Sequence, residues 1–140
     1  MQTSRQHSAP IIIHDTNSIP LQLGQVQTST LSEGTLQRLI AAHPSLIPID
    51  EIEPAYGPMT CLGLEVPTPA GPLDILCTSP QGYLTLIETK LWRNPQSRRE
   101  VVGQTIDYAK ELSKWSFGDL DAAIRRATQP DNSKGKGILS

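Results

Sequence analysis

The stretch Gly71–Lys90, GPLDILCTSPQGYLTLIETK, constrains the fold more than any other part of the chain. Its two apolar runs, LDILCT and YLTLIETK, are separated by turn residues, and this pattern predicts an antiparallel β-hairpin. Pro80 suits the first central position of a type I turn, and Gly82 suits the left-handed position that follows it. A loop of this kind has three residues and places Ser79 opposite Tyr83.

The turn also fixes which side chains face each other further along the hairpin. Counting outwards from the loop places Asp74 opposite Glu88, with the two Cβ atoms about 4.5–5.5 Å apart. Lys90 lies on the same face as Glu88, because side chains alternate with a period of two. A two-residue loop would place Asp74 opposite Ile87 instead, so this prediction depends on the turn type.

The expected pair of carboxylates emerges from an apolar surface. The neighbouring side chains on that face are Leu76, Leu84 and Leu86. Two like charges about 5 Å apart repel by about 3 kcal/mol at an effective dielectric constant near 20. A shared proton, a cation such as Lys90, or a divalent metal would relieve this repulsion. Oxygen ligands of this kind suit hard cations such as Mg²⁺ or Mn²⁺.

Helices are predicted on both sides of the strands. TLSE fits a capping box in which Thr30 caps a helix and Glu33 reaches back, with the helix starting at Thr30 or Ser32 and closed by Pro44. TCLGLEV predicts a strand before the hairpin, joined to it by the turn PTPAGP.

Two further helices are predicted after the hairpin. Ser97 and Glu100 form a second capping box, and the helix after it has apolar residues at heptad-like spacing. A final helix is expected from Asp119 to Ala127 and is ended by Pro130. The apolar face of the longer helix comprises Val101, Thr105, Tyr108, Leu112 and Trp115.

Three regions are expected along the chain. Residues 1–29 are polar, with strand-like pieces at PIIIHD and IPLQLGQV, and they form an N-terminal extension or β-ribbon. Residues 30–128 form the main domain, and residues 129–140 form a tail. Because DNSKGKGILS ends on a strand-like fragment, we expect a truncated tail and a chain that is a fragment of a longer protein.

Composition excludes few classes of protein. The chain has 37% apolar and 19% charged residues with a net charge of −2, which fits a globular domain and does not favour a strongly basic nucleic-acid coat. The apolar patch PIII is interrupted by His14 and Asp15, so no membrane span is expected. Cys61 and Cys77 form no C-x-x-C motif and fit the reducing environment of the cytoplasm.

GPLD, then LIETK, then VVGQTIDYA resembles the PD-(D/E)XK nuclease superfamily. The chain is most similar there to catalytic domains of mismatch-cleaving and related prokaryotic endonucleases, over residues 31–115. Leu73 stands where the name of the motif has Pro. The resemblance implies an α/β, restriction-endonuclease-like core, in which a mixed β-sheet lies between helices in the order helix, strand, strand, strand, helix. The strand expected after the last helix of that core is not visible.

The resemblance also implies a role for each residue of the motif. Asp74 and Glu88 would bind Mg²⁺ or Mn²⁺, with the backbone carbonyl of Thr89 and the carboxylate of Glu33 as further ligands. The implied catalytic residues are Asp74, Glu88, Lys90 and Gln104. The implied nucleic-acid-binding residues are Arg93, Arg98, Arg99 and Tyr108.

Each of these roles has a structural alternative. Glu33 is equally explained as a helix-capping residue, and Glu88 with Lys90 as an ion pair on one face of a strand. Gln104 and Tyr108 also fit a buried hydrogen-bonding residue and a core residue. The two arginines of SRRE also fit an ordinary solvated surface.

The predicted function is a metal-dependent, cytoplasmic nuclease that hydrolyses phosphodiester bonds. DNA is the expected substrate and RNA the alternative, and a homodimer is considered because cutting two strands often needs two active sites. The alternative function is a nuclease-like binding or assembly module, without activity, within a larger protein.

Overall fold

The computed structural model describes residues 11–14, 17–20, 32–91 and 95–129. The chain divides into two compact units, residues 1–30 and 31–140. In the first unit, strands β1 (Ile11–His14) and β2 (Asn17–Pro20) pair antiparallel. β1 lies within PIIIHD, whereas residues 21–26 of IPLQLGQV lie outside the described residues.

The second unit is an α/β structure with a three-stranded antiparallel sheet and flanking helices. The described pairings give the strand order β3–β4–β5. Its main elements are α1 (Glu33–Ala42), α2 (Ile49–Ile52), β3 (Thr60–Thr68), β4 (Gly71–Thr78), β5 (Leu84–Ile87), α3 (Pro95–Leu112) and α4 (Phe117–Arg126). Short 3-10 turns span Pro44–Leu46 and Pro54–Tyr56.

The chain returns to the sheet after α4. The backbone N–H of Leu64 in β3 donates to the carbonyl of Thr128 at 2.8 Å, and the N–H of Thr128 donates back at 3.0 Å. This isolated bridge is antiparallel. A mixed sheet was expected, but every pairing among the described residues of this unit is antiparallel.

The β4–β5 hairpin has the predicted register. Leu76 pairs with Leu86 and Ile75 with Ile87. The loop is closed by a hydrogen bond of 2.9 Å from the Ser79 N–H to the Tyr83 carbonyl. Gly82 has a φ of +88°, the left-handed conformation that the loop requires. The pairing ends at Ile75 and Ile87, and Asp74 and Glu88 are the next residues along the two chain segments.

Helix α1 begins next to the residue predicted, but its cap differs. Ser32 is the N-cap, and its side chain accepts a hydrogen bond from the Thr35 N–H at 3.0 Å. Glu33 is then the first helical residue and not the third, so its side chain is not needed for capping. Thr30 lies outside the described residues. The helix ends before Pro44, as predicted.

α3 and α4 both begin earlier in the chain than predicted. α3 begins at Pro95, so Ser97 lies inside the first turn and is not its N-cap. Pro favours the first turn of a helix because its missing N–H has no intrahelical acceptor there. α4 begins at Phe117, after a capping box formed by Ser116 and Asp119. Pro130 lies outside the described residues.

Both faces of the sheet pack against helices. On one face, Ile75 and Ile87 contact Ala41 of α1. On the other face, a second cluster joins the strands to α3 and α4. Tyr108, Leu112 and Trp115 belong to it, which confirms the second half of the apolar face predicted for the longer helix. Members of this second cluster and its rim include Val66, Leu73, Leu76, Leu84, Leu86, Tyr108, Leu112, Trp115 and Ala123.

Strand β3 changes its inward face in the middle. Leu64 packs in the first cluster, whereas Val66, two residues later, packs in the second. Regular alternation would put both on one face. Between them Glu65 has a φ of +50°, which is a strained conformation for a residue with a side chain. The change of face thus occurs at Glu65, which the register of the sheet places beside Asp74.

Candidate carboxylate site at the end of the hairpin

Glu88 is the most strongly perturbed acid in the described residues. Burial, and next the charge of Asp74, raise the pKa of its carboxyl group from 4.5 to about 7. Glu65 raises this pKa further, whereas the backbone amide of Asp74 and the ammonium group of Lys90 lower it. Three carboxylates and a lysine therefore lie within electrostatic range of each other, on side chains from β3, β4 and the segment after β5.

One oxygen of Glu88 has no hydrogen-bond partner within the described part of the chain. Oε2 of Glu88 is buried, and no donor reaches it. An unpartnered buried carboxylate oxygen is costly, and it is stabilised by a proton or by a cation. Glu88 is therefore either protonated near neutral pH or available to a further partner.

Asp74 holds the segment that follows β5. Its Oδ2 accepts two hydrogen bonds from Thr89, one from the backbone N–H at 2.9 Å and one from the side-chain Oγ1 at 2.7 Å. Thr89 is buried. Because both bonds converge on a single oxygen, the carboxylate is fixed in orientation, and the backbone of Thr89 is fixed beside it.

Glu33 contacts the same segment from helix α1. Its Oε1 accepts a hydrogen bond of 3.2 Å from the Leu91 N–H, and its Oε2 lies 3.7 Å from Nζ of Lys90. The capping explanation for Glu33 is thus replaced by a tertiary contact. Lys90 keeps 40% of its side chain exposed, so its ammonium group reaches both solvent and the acidic cluster.

Two residues at this site, Gln37 and Glu65, were not predicted from the sequence. Nε2 of the buried Gln37 donates to Oε1 of Glu65 at 2.7 Å and to the backbone carbonyl of Asp74 at 2.9 Å. Gln37 follows Glu33 by four residues, and this spacing places both on one face of α1. That spacing was a usable signal. Glu65 gave none, because its φ of +50° breaks the alternation from which a strand's faces are predicted.

Gln104 and Tyr108 form a hydrogen-bonded chain beneath the site. Nε2 of Gln104 donates to the hydroxyl of Tyr108 at 2.8 Å, and that hydroxyl donates to the carbonyl of Pro72 at 2.8 Å. Pro72 precedes Asp74 by two residues in β4. Burial is the largest cause of the raised pKa of Tyr108, and the charges of Glu88, Asp74 and Glu65 also raise it.

The burial of Tyr108 corrects one prediction. Its exposed fraction is 0%, so the side chain cannot contact a nucleic acid in this fold. The core alternative was correct for this residue. Gln104 is exposed but is hydrogen-bonded to Tyr108, which supports a positioning role more than direct chemistry.

The expected phosphate-binding arginines are only partly described. Arg98 and Arg99 are exposed in the first half of α3. Arg93 lies outside the described residues. Exposed guanidinium groups can bind phosphate, but this exposure alone equally fits a solvated surface.

The carboxylates of this site suit a metal ion that keeps several bound waters better than one held by three or more side chains. Among the described residues, no group of three His, Cys, Asp or Glu side chains is arranged to hold a metal ion. A site with three or more ligands of these four residue types is therefore absent from that part of the chain. Mg²⁺, however, commonly binds through one or two carboxylates and keeps several waters. Asp74 and Glu88, with the unpartnered Oε2, fit that pattern.

Comparison with family models, with curated proteins and with solved structures gave no match. The chain is therefore described by its own geometry: it has an α/β domain in which Asp74, Lys90 and Glu88, whose pKa is raised, lie at one end of an antiparallel sheet. In the described parts of the chain, no helix is both long and apolar enough to cross a membrane.

Proposed function

We propose that this protein is a metal-dependent phosphodiester hydrolase, with DNA as its substrate. The observation that carries the proposal is the pair formed by Asp74 and Glu88, in which the pKa of Glu88 is raised to about 7 and its Oε2 has no described partner. The motif resemblance, GPLD followed by LIETK, supports the same function. We also propose that its fold is restriction-endonuclease-like, that it acts in the cytoplasm and that it forms a homodimer.

Asp74 and Glu88 would hold a hard divalent cation, Mg²⁺ or Mn²⁺. The backbone carbonyl of Thr89 is a further candidate ligand, since hydrogen bonds to Asp74 fix that residue beside the site. Glu33, which contacts Leu91 and Lys90, is a further candidate ligand from α1. When bound, such a cation lowers the pKa of a coordinated water and stabilises negative charge on a phosphate.

Lys90 would bind the negatively charged phosphate and stabilise the charge that develops on it. Its partial exposure leaves it open to a substrate, and its pairing with Glu33 holds the ammonium group at the site. Glu33, through Leu91, would keep the first half of α1 beside the segment after β5. Gln37, through Glu65 and the Asp74 carbonyl, would keep it beside β3 and β4. Precise placement of the reacting groups is itself a large part of catalysis.

Residues around the cluster would position the substrate and the strand. Arg98 and Arg99 would bind phosphates that flank the scissile bond, with Arg93 as a further candidate. Gln104 acts through Tyr108 on the backbone of Pro72 and so holds the strand that carries Asp74. DNA is favoured over RNA by the motif resemblance alone.

A nuclease-like binding module without activity is the second candidate. The observation that favours it is the ion pair between Lys90 and Glu33, together with the lack of a three-residue metal group in the described residues. In that case the acids would hold the segment after β5 in place and would bind no metal.

Cleavage of a DNA panel in the presence of Mg²⁺ or Mn²⁺ separates the two functions. We expect cleavage that a chelator abolishes, and we expect Asp74→Asn and Lys90→Ala each to reduce it by more than about a hundredfold. Asp50→Asn and Lys110→Ala change exposed residues outside the site and should cleave like the wild type. Cleavage that survives both the chelator and the two site substitutions would refute the proposal.

A further inference from the structure

The two cysteines of the chain face each other across neighbouring strands. Cys61 in β3 pairs directly with Cys77 in β4. Residues opposite each other in an antiparallel pair have Cα atoms about 4.5–5.5 Å apart. A disulfide requires a Cα separation of about 4.4–6.8 Å, so the backbone already has a suitable spacing.

The side chains also lie on the same face of the sheet. Cys77 is a member of the first core cluster, and Cys61 packs against that cluster. The two thiols interact with each other, and this contact is the largest cause of the lowered pKa of Cys61 and of the raised pKa of Cys77. Both cysteines are free thiols in the structure.

We propose that Cys61 and Cys77 form an oxidation site at which a peroxide closes an intramolecular disulfide between β3 and β4. This inference is independent of the proposed hydrolase activity.

The two cysteines have different roles in this chemistry because they differ in exposure. Cys61 is partly exposed, whereas Cys77 has an exposed fraction of 0%. A small oxidant therefore reaches Cys61 first. The thiolate is the reactive form, and the lowered pKa of Cys61 increases its thiolate fraction.

The oxidation proceeds in two balanced steps. The Cys61 thiolate attacks hydrogen peroxide, the O–O bond breaks, and the products are a sulfenic acid on Cys61 and hydroxide. The sulfur of Cys77 then attacks the sulfur of Cys61, and the S–O bond breaks. The departing hydroxide takes the proton of the Cys77 thiol and leaves as water. One peroxide is thereby reduced to one hydroxide and one water, while a thiolate and a thiol become one disulfide.

The location gives this bond a structural consequence. β4 also carries Asp74, three residues from Cys77, and a bulge in β3 lies directly beside Cys61, between that residue and Gly63. A disulfide here would link the two strands covalently next to an irregular part of the ladder. Because the chain has two cysteines in total, no other intramolecular disulfide can form.

The test treats the purified full chain with hydrogen peroxide, unfolds it, alkylates the remaining thiols and measures the intact mass. We expect the monomer to lose two hydrogens and both alkylation sites, and dithiothreitol to restore both. In Cys77→Ala, Cys61 should instead be trapped as a sulfenic acid by a cyclic 1,3-diketone. Cys61→Ser should keep an alkylatable Cys77 after the same treatment.

Circular dichroism of both variants shows whether they are folded, and the wild-type measurement decides the proposal even where a variant is not. Three results would overturn it: two thiols that stay alkylatable in the wild type, a disulfide between two chains, or a Cys61 oxidised to sulfinic acid beside a free Cys77.

Discussion

At the scale of single residues, Glu88 connects the structure to a measurable dependence on pH. Its folded-state pKa of about 7 lies above the ordinary value of 4.5, so the folded state holds the proton more tightly than the unfolded state. The resulting contribution to stability is fully present below about pH 4.5 and is lost as the pH rises through about 7.

Glu88→Gln should therefore stabilise the protein at about pH 8 and leave its stability unchanged at about pH 4, since glutamine resembles the protonated acid. Each pKa unit corresponds to about 1.4 kcal/mol, and partial exposure reduces the effect, so we expect a gain of about 1 kcal/mol at the higher pH. Urea unfolding at the two pH values measures it.

The exposed Glu100 provides the matched control. Glu100→Gln makes the same substitution on the exposed surface of α3 and should not reproduce the gain in stability at about pH 8. An equal effect of Glu88→Gln at the two pH values would mean that the pKa of Glu88 is not raised.

The sequence predicted part of this site and missed another part. The register of the hairpin, which brings Asp74 within electrostatic range of Glu88, followed from the loop residues Pro80 and Gly82, because turn chemistry is local and fixes the register. Glu65 could not be found in the same way. Its positive φ coincides with a change in the face on which β3 packs, and no local pattern encodes that change.

At the scale of elements, the starts of helices were the least predictable feature. S-x-x-E and Pro both signal a helix start, and in α3 the helix begins at Pro95, ahead of the predicted cap Ser97. In α1 the predicted box included Glu33, whereas the structure caps the helix with Ser32 and directs Glu33 to Leu91 and Lys90. A side chain that can cap its own helix can also bind a segment far away in the chain. The sequence alone does not decide which of these two contacts it makes.

Substitutions of two glycines, one in β3 and one in α3, test how closely these elements pack against their neighbours. A Cβ on Gly63 in β3 would lie 2.9 Å from the Cβ of Ala127, next to the bridge between Leu64 and Thr128. We expect Gly63→Ala to destabilise the fold by about 1–3 kcal/mol, because it pushes the chain after α4 away from β3. Thermal and urea unfolding measure this change.

Gly103→Ala is the control, and we expect it to change the free energy of unfolding in the opposite direction. A Cβ at that position in α3 meets nothing within 4 Å, and Ala has a higher helix propensity than Gly. We expect it to stabilise the protein by about 0.5–1 kcal/mol. A Gly63→Ala variant as stable as the wild type would mean that residues after α4 do not pack against β3 in solution.

At the scale of the whole molecule, the order of elements was predictable and the complete sheet was not. The sequence shows a periodic pattern of apolar residues for each of the first helix, the three strands and the last two helices, with turn residues between them. The bridge from Leu64 to Thr128 left no such pattern, because a contact of one residue has no period. The described residues of unit 31–140 thus have the predicted α/β class, and their sheet is antiparallel where a mixed one was expected.

The binding isotherm of Mg²⁺, measured by calorimetry at about pH 8, where Glu88 is ionised, tests the central claim most directly. If Asp74 and Glu88 form a cation site, the wild type and Asp50→Asn bind Mg²⁺ at one site, and Asp74→Asn and Glu88→Gln each lose that binding. A wild type that does not bind Mg²⁺, or site variants that bind it as tightly as the wild type, would contradict the account.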